Sequence, residues 1–331
     1  MKKFRMAAGL AALALVPVIA LAGCSSAGGR TEPASGSGDT GAAASTPPMT
    51  IAMITHAAAG DTFWDIVRKG AEAAAAKDNV KLVYSGDADG GRQAQLVQQA
   101  IDQNVDGIAL TFAKADAMKD VVQKALDAGI PVVGFNGGQQ EALAAGALTY
   151  IGQDDKQAGV EAGKKLVADG FTQPICMIQE QGHVGLEARC AGIKEQIPAT
   201  EILYVTGTDM AQVSSTLTAK LQADTSADVV MGLGAPFTLA AIDVVAQTGS
   251  KAKIGSFDMN ADLAQAIIDG KVIFTVDQQP YLQGYESVDA LWLKKNGGFA
   301  LGGGGAVATG PTIVTPGTAE AVLAGAKEGI R

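Results

Sequence analysis

The chain has 331 residues, a formal net charge of −9, two histidines, three cysteines and 5% aromatic residues. An acidic body of this kind lacks the basic patches that nucleic-acid binding needs, so no nucleic-acid partner is expected. Two histidines and no cysteine pair at zinc-site spacing offer no ligand cluster, so neither a metal nor a cofactor is expected.

The first residues set the compartment. Lys2, Lys3 and Arg5 precede an apolar run from Met6 to Ala20, and Leu21-Ala22-Gly23-Cys24 follows. A basic start, a short apolar core and small residues at a cleavage point read as an export signal over residues 1–23. The run is too short and wrongly flanked for a stable membrane span. Its ending resembles a bacterial lipobox, which implies that Cys24 is acylated and holds the protein on the extracytoplasmic face of the cell membrane. An ordinary signal with an unrelated cysteine is the alternative. Removing the signal takes away three cations, which moves the net charge from −9 to −12. Residues 24–48 are Ser, Gly, Ala, Thr and Pro with almost no large apolar side chain. Such a stretch cannot bury enough surface to offset its ordering entropy, and it reads as a flexible linker reaching roughly 25–30 Å.

From Met49 onward, short β-branched runs alternate with amphipathic stretches. Ile51 to Thr55 reads as a strand, Thr62 to Lys77 as a helix, Val80 to Tyr84 as a strand and Gln93 to Gln103 as a helix. Gly107 to Leu110, Ala115 to Ala128 and Val132 to Phe135 repeat the cycle. A second set starts near Tyr150: helix Lys156 to Ala168, strand Ile175 to Ile178, helix Gly185 to Gln196 and strand Ile202 to Val205. Helix Ala211 to Ala223, strand Val229 to Met231, helix Thr238 to Gln247, strand Lys253 to Phe257 and helix Asp262 to Ile268 follow. Strand Val272 to Val276, the long helix Tyr281 to Lys295, a glycine-rich loop Gly297 to Gly305 and strand Thr312 to Thr315 complete the chain, with a short helix after them. The alternation predicts an α/β fold of two doubly wound parallel-sheet lobes, their near-continuous apolar strands covered on both faces.

In such sheets a ligand lies beyond the carboxyl ends of the strands. Those ends carry His56, then Asp61, Phe63 and Trp64, then Asn136, Arg189, Asp209, Asp258 and Gln278. They supply hydrogen-bonding groups of both senses beside two adjacent rings. Asp61, Asp209 and Asp258 also suit helix N-caps, and His56 and His183 read as bystanders. Cys176 and Cys190 would share an oxidising compartment, where a disulfide and a pair of buried free thiols are both open.

Several of these segments, in this order, resemble periplasmic sugar-binding proteins of the ribose-binding type. The resemblance rests on Gly60-Asp61-Thr62-Phe63-Trp64, Asp106-Gly107-Ile108, Ala128-Gly129-Ile130-Pro131-Val132-Val133, Ile151-Gly152-Gln153-Asp154-Asp155, Glu187-Ala188-Arg189-Cys190-Ala191-Gly192 and Gly255-Ser256-Phe257-Asp258. It spans about Thr50 to Pro316. It implies a three-stranded hinge between an N-terminal lobe (49–152 plus 277–310) and a C-terminal lobe (153–276 plus 311–331). It further implies stacking of a sugar on Phe63 and Trp64, with its hydroxyls bonded by Asp61, Asn136, Arg189, Asp258 and Gln278. The chain departs from the ribose binders in two places. Asn136-Gly137 stands where they carry Asp-Arg, and Gly232-Leu233-Gly234-Ala235-Pro236 stands where they carry Asn-Asp. A differently shaped sugar or an acyclic polyol is therefore as open as ribose.

The expected protein is a monomeric extracytoplasmic solute-binding lipoprotein. It would capture a small neutral sugar or polyol and deliver it to an ABC permease with its ATPase. A lipid-anchored sensory receptor for a sugar-like signal is the alternative. No catalytic residue is expected, since His-Glu-x-x-His, Gly-x-Ser-x-Gly, Cys-x-x-Cys and phosphate-loop patterns are all missing.

Overall fold

The computed structural model describes residues 44–57 and 61–331; the expected signal, Cys24 and most of the expected linker lie outside the described residues. Strand β1 (Met49–Thr55) is buried along almost its whole length, as an inner strand of a sheet covered on both faces must be. After it come α1 (Phe63–Lys77), β2 (Val80–Gly86), α2 (Gly90–Asp102), β3 (Gly107–Thr111), α3 (Ala115–Asp127), β4 (Val132–Phe135), α4 (Gln139–Ala144) and β5 (Tyr150–Gly152). The next run is α5 (Asp155–Ala168), β6 (Pro174–Ile178), α6 (Val184–Gln196), β7 (Glu201–Tyr204), α7 (Met210–Ala223), β8 (Val229–Gly232), α8 (Ala235–Thr248), β9 (Lys253–Phe257), α9 (Ala261–Ile268) and β10 (Thr275–Asp277). Helix α10 (Pro280–Gly297), a 3-10 turn (Leu301–Gly304), β11 (Ala306–Ala308), β12 (Thr312–Val314) and α11 (Ala319–Lys327) end the chain.

These strands form two six-stranded sheets, ordered β11-β5-β4-β3-β1-β2 and β12-β10-β9-β8-β6-β7. Position by position the orders are the same, so β1 to β5 have their counterparts in β6 to β10. Pairing is parallel except between β10 and β12. Each sheet buries alternate side chains into a core on either face: Ile54, Ile108 and Leu110 on one side of the first and Met53, Val133 and Phe135 on the other. The second sheet does the same with Cys176, Met231 and Phe257 against Ile175, Met177 and Val230. This is the two-lobed α/β architecture that the pattern predicts. The chain passes between sheets three times, after β5, after β10 and between β11 and β12. Helix α10 buries Val288, Ala290 and Leu291 in the core of the first sheet, which returns it to that lobe.

Some expected boundaries move. The edge strands β2 and β7 are half-exposed, because only inner strands are covered on both faces. The strand expected at Val272–Val276 pairs regularly only over Thr275–Asp277, and Asp277 belongs to the second sheet. Helix α4 and strand β11 were not expected. The first has barely two turns and the second follows a run of glycines, so neither carries a periodic pattern. The last residues of the expected linker are held rather than free. Ala44 N donates to Lys77 O at 2.7 Å, Asn79 Nδ2 donates to Thr46 O, and Trp292 Nε1 donates to Thr46 Oγ1 at 3.2 Å. No helix among the described residues is long and apolar enough to cross a membrane.

Candidate functional site

The carboxyl ends of the two sheets border one cavity of about 680 Å³, within the usual range for small-molecule sites. Asp61, Phe63, Trp64, Asn136, Arg189, Asp258 and Gln278 all line it. Asp209 does not; it caps α7 by accepting from Gln212 N at 3.0 Å.

The first lobe presents an aromatic wall. Trp64, in the first turn of α1, lies buried, edge-on to His56 (ring centroids 4.8 Å apart), Phe63 (5.1 Å) and Phe135 (6.5 Å). Asp61, one residue before the Thr62 N-cap of α1, accepts from Phe63 N at 3.0 Å while its carboxylate borders the cavity. Burial raises its pKa, partly offset by that amide.

The second lobe presents charge. Helices α5 and α6 cross so closely that a Cβ on Gly159 would lie 2.1 Å from Arg189 O, and only glycine permits the approach. It brings Arg189 beside Asp155, with Nε to Oδ1 at 2.8 Å and both side chains almost fully buried. The guanidinium lies 5.2 Å from the Phe257 ring centre, and Nη1 is 3.8 Å from Asp258 Oδ1. Burial pushes Asp258 up to about 6, against the pull of Arg189 and of the Gln278 amide. Cys176 on β6 and Cys190 on α6 are joined as a disulfide, with Cα atoms 5.8 Å apart, one residue from Arg189.

Between the lobes runs a chain of amides. Asn136 Nδ2 donates to Gln278 Oε1 (3.2 Å) and Gln283 Oε1 (3.0 Å), and Gln278 Nε2 donates to Asp258 Oδ1 (2.5 Å). Gln283 Nε2 returns to Gln278 Oε1 at 2.9 Å. Asn136 and Asp258 occupy counterpart positions after β4 and β9, and both have left-handed backbones, φ 65° and 67°. Asn and Asp tolerate that region better than other residues with a Cβ.

Sequence reasoning passed over the histidines. His56 and His183 are both buried, both line the cavity, and their Nε2 atoms lie 2.9 Å apart. Gln179, Glu180 and Gln283 were also missed; each sits near a strand end or on an inward helix face without a motif to mark it. The expectation of no ligand cluster is corrected as well, since His56, Glu180 and His183 place ligating atoms within 4.8 Å of one another. The hydrogen bonds nevertheless argue against coordination. His183 Nδ1 accepts from Gly185 N (3.1 Å) and Leu186 N (3.3 Å), so its neutral ring carries the proton on Nε2 and has no lone pair there for a metal.

Among the described residues three acids, Asp61, Glu180 and Asp258, line the cavity against one cation, Arg189. The set offers acceptors, a forked donor and amides of both senses beside rings, which suits a compact uncharged polyhydroxy molecule and disfavours an anionic one.

Comparison with known proteins agrees with the fold. Residues 51–298 match the periplasmic binding protein domain model. A solved carbohydrate transporter from Acidothermus cellulolyticus, in complex with myo-inositol, is 47% identical; the match covers 86% of this chain and 100% of that one, with a TM-score of 0.85. An ABC transporter solute-binding protein from Burkholderia graminis, in complex with D-arabinose, is 26% identical with a TM-score of 0.73, over 82% of this chain and 96% of that one. The xylose/arabinose-binding protein XylF of Sulfolobus acidocaldarius is 27% identical over 60% of this chain, a match that spans only 54% of XylF's own length. The ribose import binding protein RbsB of Bacillus subtilis is 26% identical over 69% of this chain and 76% of its own. The chain belongs to the periplasmic binding protein family, in its two-lobed type I form, and is a binding protein rather than an enzyme.

Proposed function

We propose that the cleft binds one neutral cyclitol or monosaccharide, with inositols the leading candidates, and that the protein hands it to an ABC permease. The convergence of Phe63, Trp64, Asp61, Asn136, Arg189, Asp258 and Gln278 on one cavity carries this reading. The myo-inositol complex of the 47% identical relative supports the choice of ligand. In the bound state the ring's C–H face packs on Phe63 and Trp64, while Asp61, Asn136, Arg189, Asp258 and Gln278 bond its hydroxyls. Acylation of Cys24 keeps the protein at the membrane, and a monomer suffices for the cycle.

Calorimetry over inositols, pentoses, hexoses and pentitols, with a uronate and a sugar phosphate as anionic controls, tests the ligand class. One neutral compound should saturate the protein at micromolar or lower Kd, and the anions should not bind. Binding of amino acids or peptides alone would overturn the reading. Cys24→Ala should release the protein from membranes without changing affinity, and continued membrane retention would remove the lipid anchor from the proposal.

A further inference from the structure

Much of the contact across the cleft is made by protein groups alone, on two facing loops. One joins β3 to α3 in the first lobe, and the other joins β6 to α6 in the second. Val184 N donates to Ala113 O at 3.1 Å, and Lys114 Nζ donates to Gln181 O at 2.8 Å. Lys114 Nζ also lies 3.1 Å from Glu180 Oε1, a charge contact rather than a directed hydrogen bond. The most enclosed contact is the 2.9 Å one between His183 and His56, which lies outside these loops, just after β1.

The tautomers of that pair follow from their partners. His183 Nδ1 is occupied by two helix amides, so Nε2 carries the proton and donates to His56 Nε2. A neutral His56 accepting at Nε2 carries its own proton on Nδ1, which faces Thr111 Oγ1 at 2.8 Å. The relay needs both rings neutral. A second proton on His56 would leave two N–H groups facing each other across the gap, and one on His183 would set Nδ1–H against the Gly185 and Leu186 amides.

We propose that this hydrogen-bonded histidine pair latches the two lobes together at neutral pH and releases them on acidification. The latch is independent of which molecule the cleft takes. The charged groups around it come from every neighbouring segment: Lys114 and Arg189 are cations, and Asp61, Asp155, Glu180 and Asp258 are acids. Burial, with Lys114 and Arg189, lowers His56 to about 3. Burial and the same two cations, together with His56, hold His183 well below its ordinary value.

Separated lobes return both rings to water, where an imidazole titrates near 6.5. Protons then bind the open form preferentially, so docking is fully present above about pH 6.5 and lost as pH falls below it. At pH 5.0 two such rings favour opening about a thousandfold. The raised carboxyl of Asp258 acts the other way, since a group near 6 takes a proton while docked, and it returns about tenfold. Burial raises Asp61 and Glu180 in the same sense as Asp258, so the docked-to-open ratio falls by at most about a hundredfold between pH 7.5 and 5.0.

The test uses the unliganded mature protein. Small-angle scattering is recorded at pH 7.5 and 5.0 for the wild type and for His56→Gln/His183→Asn; Asn at 183 can still cap α6. The wild type should be compact at pH 7.5 and expand at 5.0, with unchanged circular dichroism, and the double variant should not expand on acidification. Nitrogen-15 spectra of the wild-type rings supply a second measurement should the variant fold poorly. They should show the Nδ1–H form for His56 and the Nε2–H form for His183 at pH 7.5. A wild type that keeps the same dimensions at both pH values, a variant that expands alongside it, or the opposite tautomers would each overturn the latch.

Discussion

The two lobes meet the same cavity by different means. The first brings rings, Phe63, Trp64 and His56, whose place is set by packing around the start of α1. The second brings ions, Arg189 and Asp258, whose place is set by named partners: Asp155, Gln278 and the Gly159 crossing, with a disulfide beside them. A ring presents a broad face and tolerates small displacements. A buried guanidinium between carboxylates does not, because its energy depends on direction and on leaving neither charge unpaired. The lobe that holds the ions is accordingly the one that is stapled.

The comparison can be broken most severely at Arg189. Arg189→Ala leaves Asp155 and Asp258 buried without their cation, and should cost about 3–5 kcal/mol of stability together with most of the ligand affinity. Thermal unfolding and calorimetry on one preparation would show whether both fall. A stable variant would mean that the second lobe is held by packing, like the first. Next comes the staple. Cys176→Ala/Cys190→Ala opens a loop with a sequence separation of 14, and should cost about 3 kcal/mol, read as a lower denaturant midpoint. A loss confined to midpoint, with Kd unchanged, would show that α6 keeps Arg189 in place unaided.

Asp258 sharpens the contrast through pH. Its carboxyl sits at about 6 against about 3.9 in an unfolded chain. A raised folded pKa means stability that is present below pH 4 and lost as pH rises through 6, a cost of roughly 2–3 kcal/mol at neutral pH. Asp258→Asn should therefore gain most in melting temperature over the wild type at pH 7.5 and little at pH 4. A uniform offset across that range would show that the carboxyl does not titrate as its burial demands. The smallest effect is expected on the aromatic side. Phe63→Ala should weaken binding by about 1 kcal/mol, roughly fivefold in Kd, with little change in stability, because Phe63 is only partly buried.

How far the sequence discloses this site follows the same division. Asp61, Asn136, Arg189, Asp258 and Gln278 lie at strand ends or on the helices after them, so the sheet period alone points to them. Two-sheet architecture is legible for the same reason, since its inner strands are unbroken apolar runs. His56 and His183 are 127 residues apart, and nothing local marks them; both read as bystanders, although His183 in fact caps α6. Gln283 lies within a helix, and only the fold turns it toward Asn136. Pairings between lobes are set by how the lobes close, and no periodicity in either half encodes that.

The matching left-handed turns after β4 and β9 also bear on how such a cleft can change its ligand. At Asn136 and Asp258 the backbone admits glycine, asparagine and aspartate readily, while other residues pay about 1–2 kcal/mol for the conformation. Both positions thus have a vocabulary of nearly two polar words, an amide that can donate and a carboxylate that can only accept. Exchanging one for the other inverts the sense of a hydrogen bond without moving the chain. Broader changes of preference meet no such restriction in the loop at 205–208 or in the segment 233–237 that leads into α8, which border the same cavity from the second lobe. Descendants of this protein that come to carry a different cargo should differ first in those segments, with the two turns varying only between their two words.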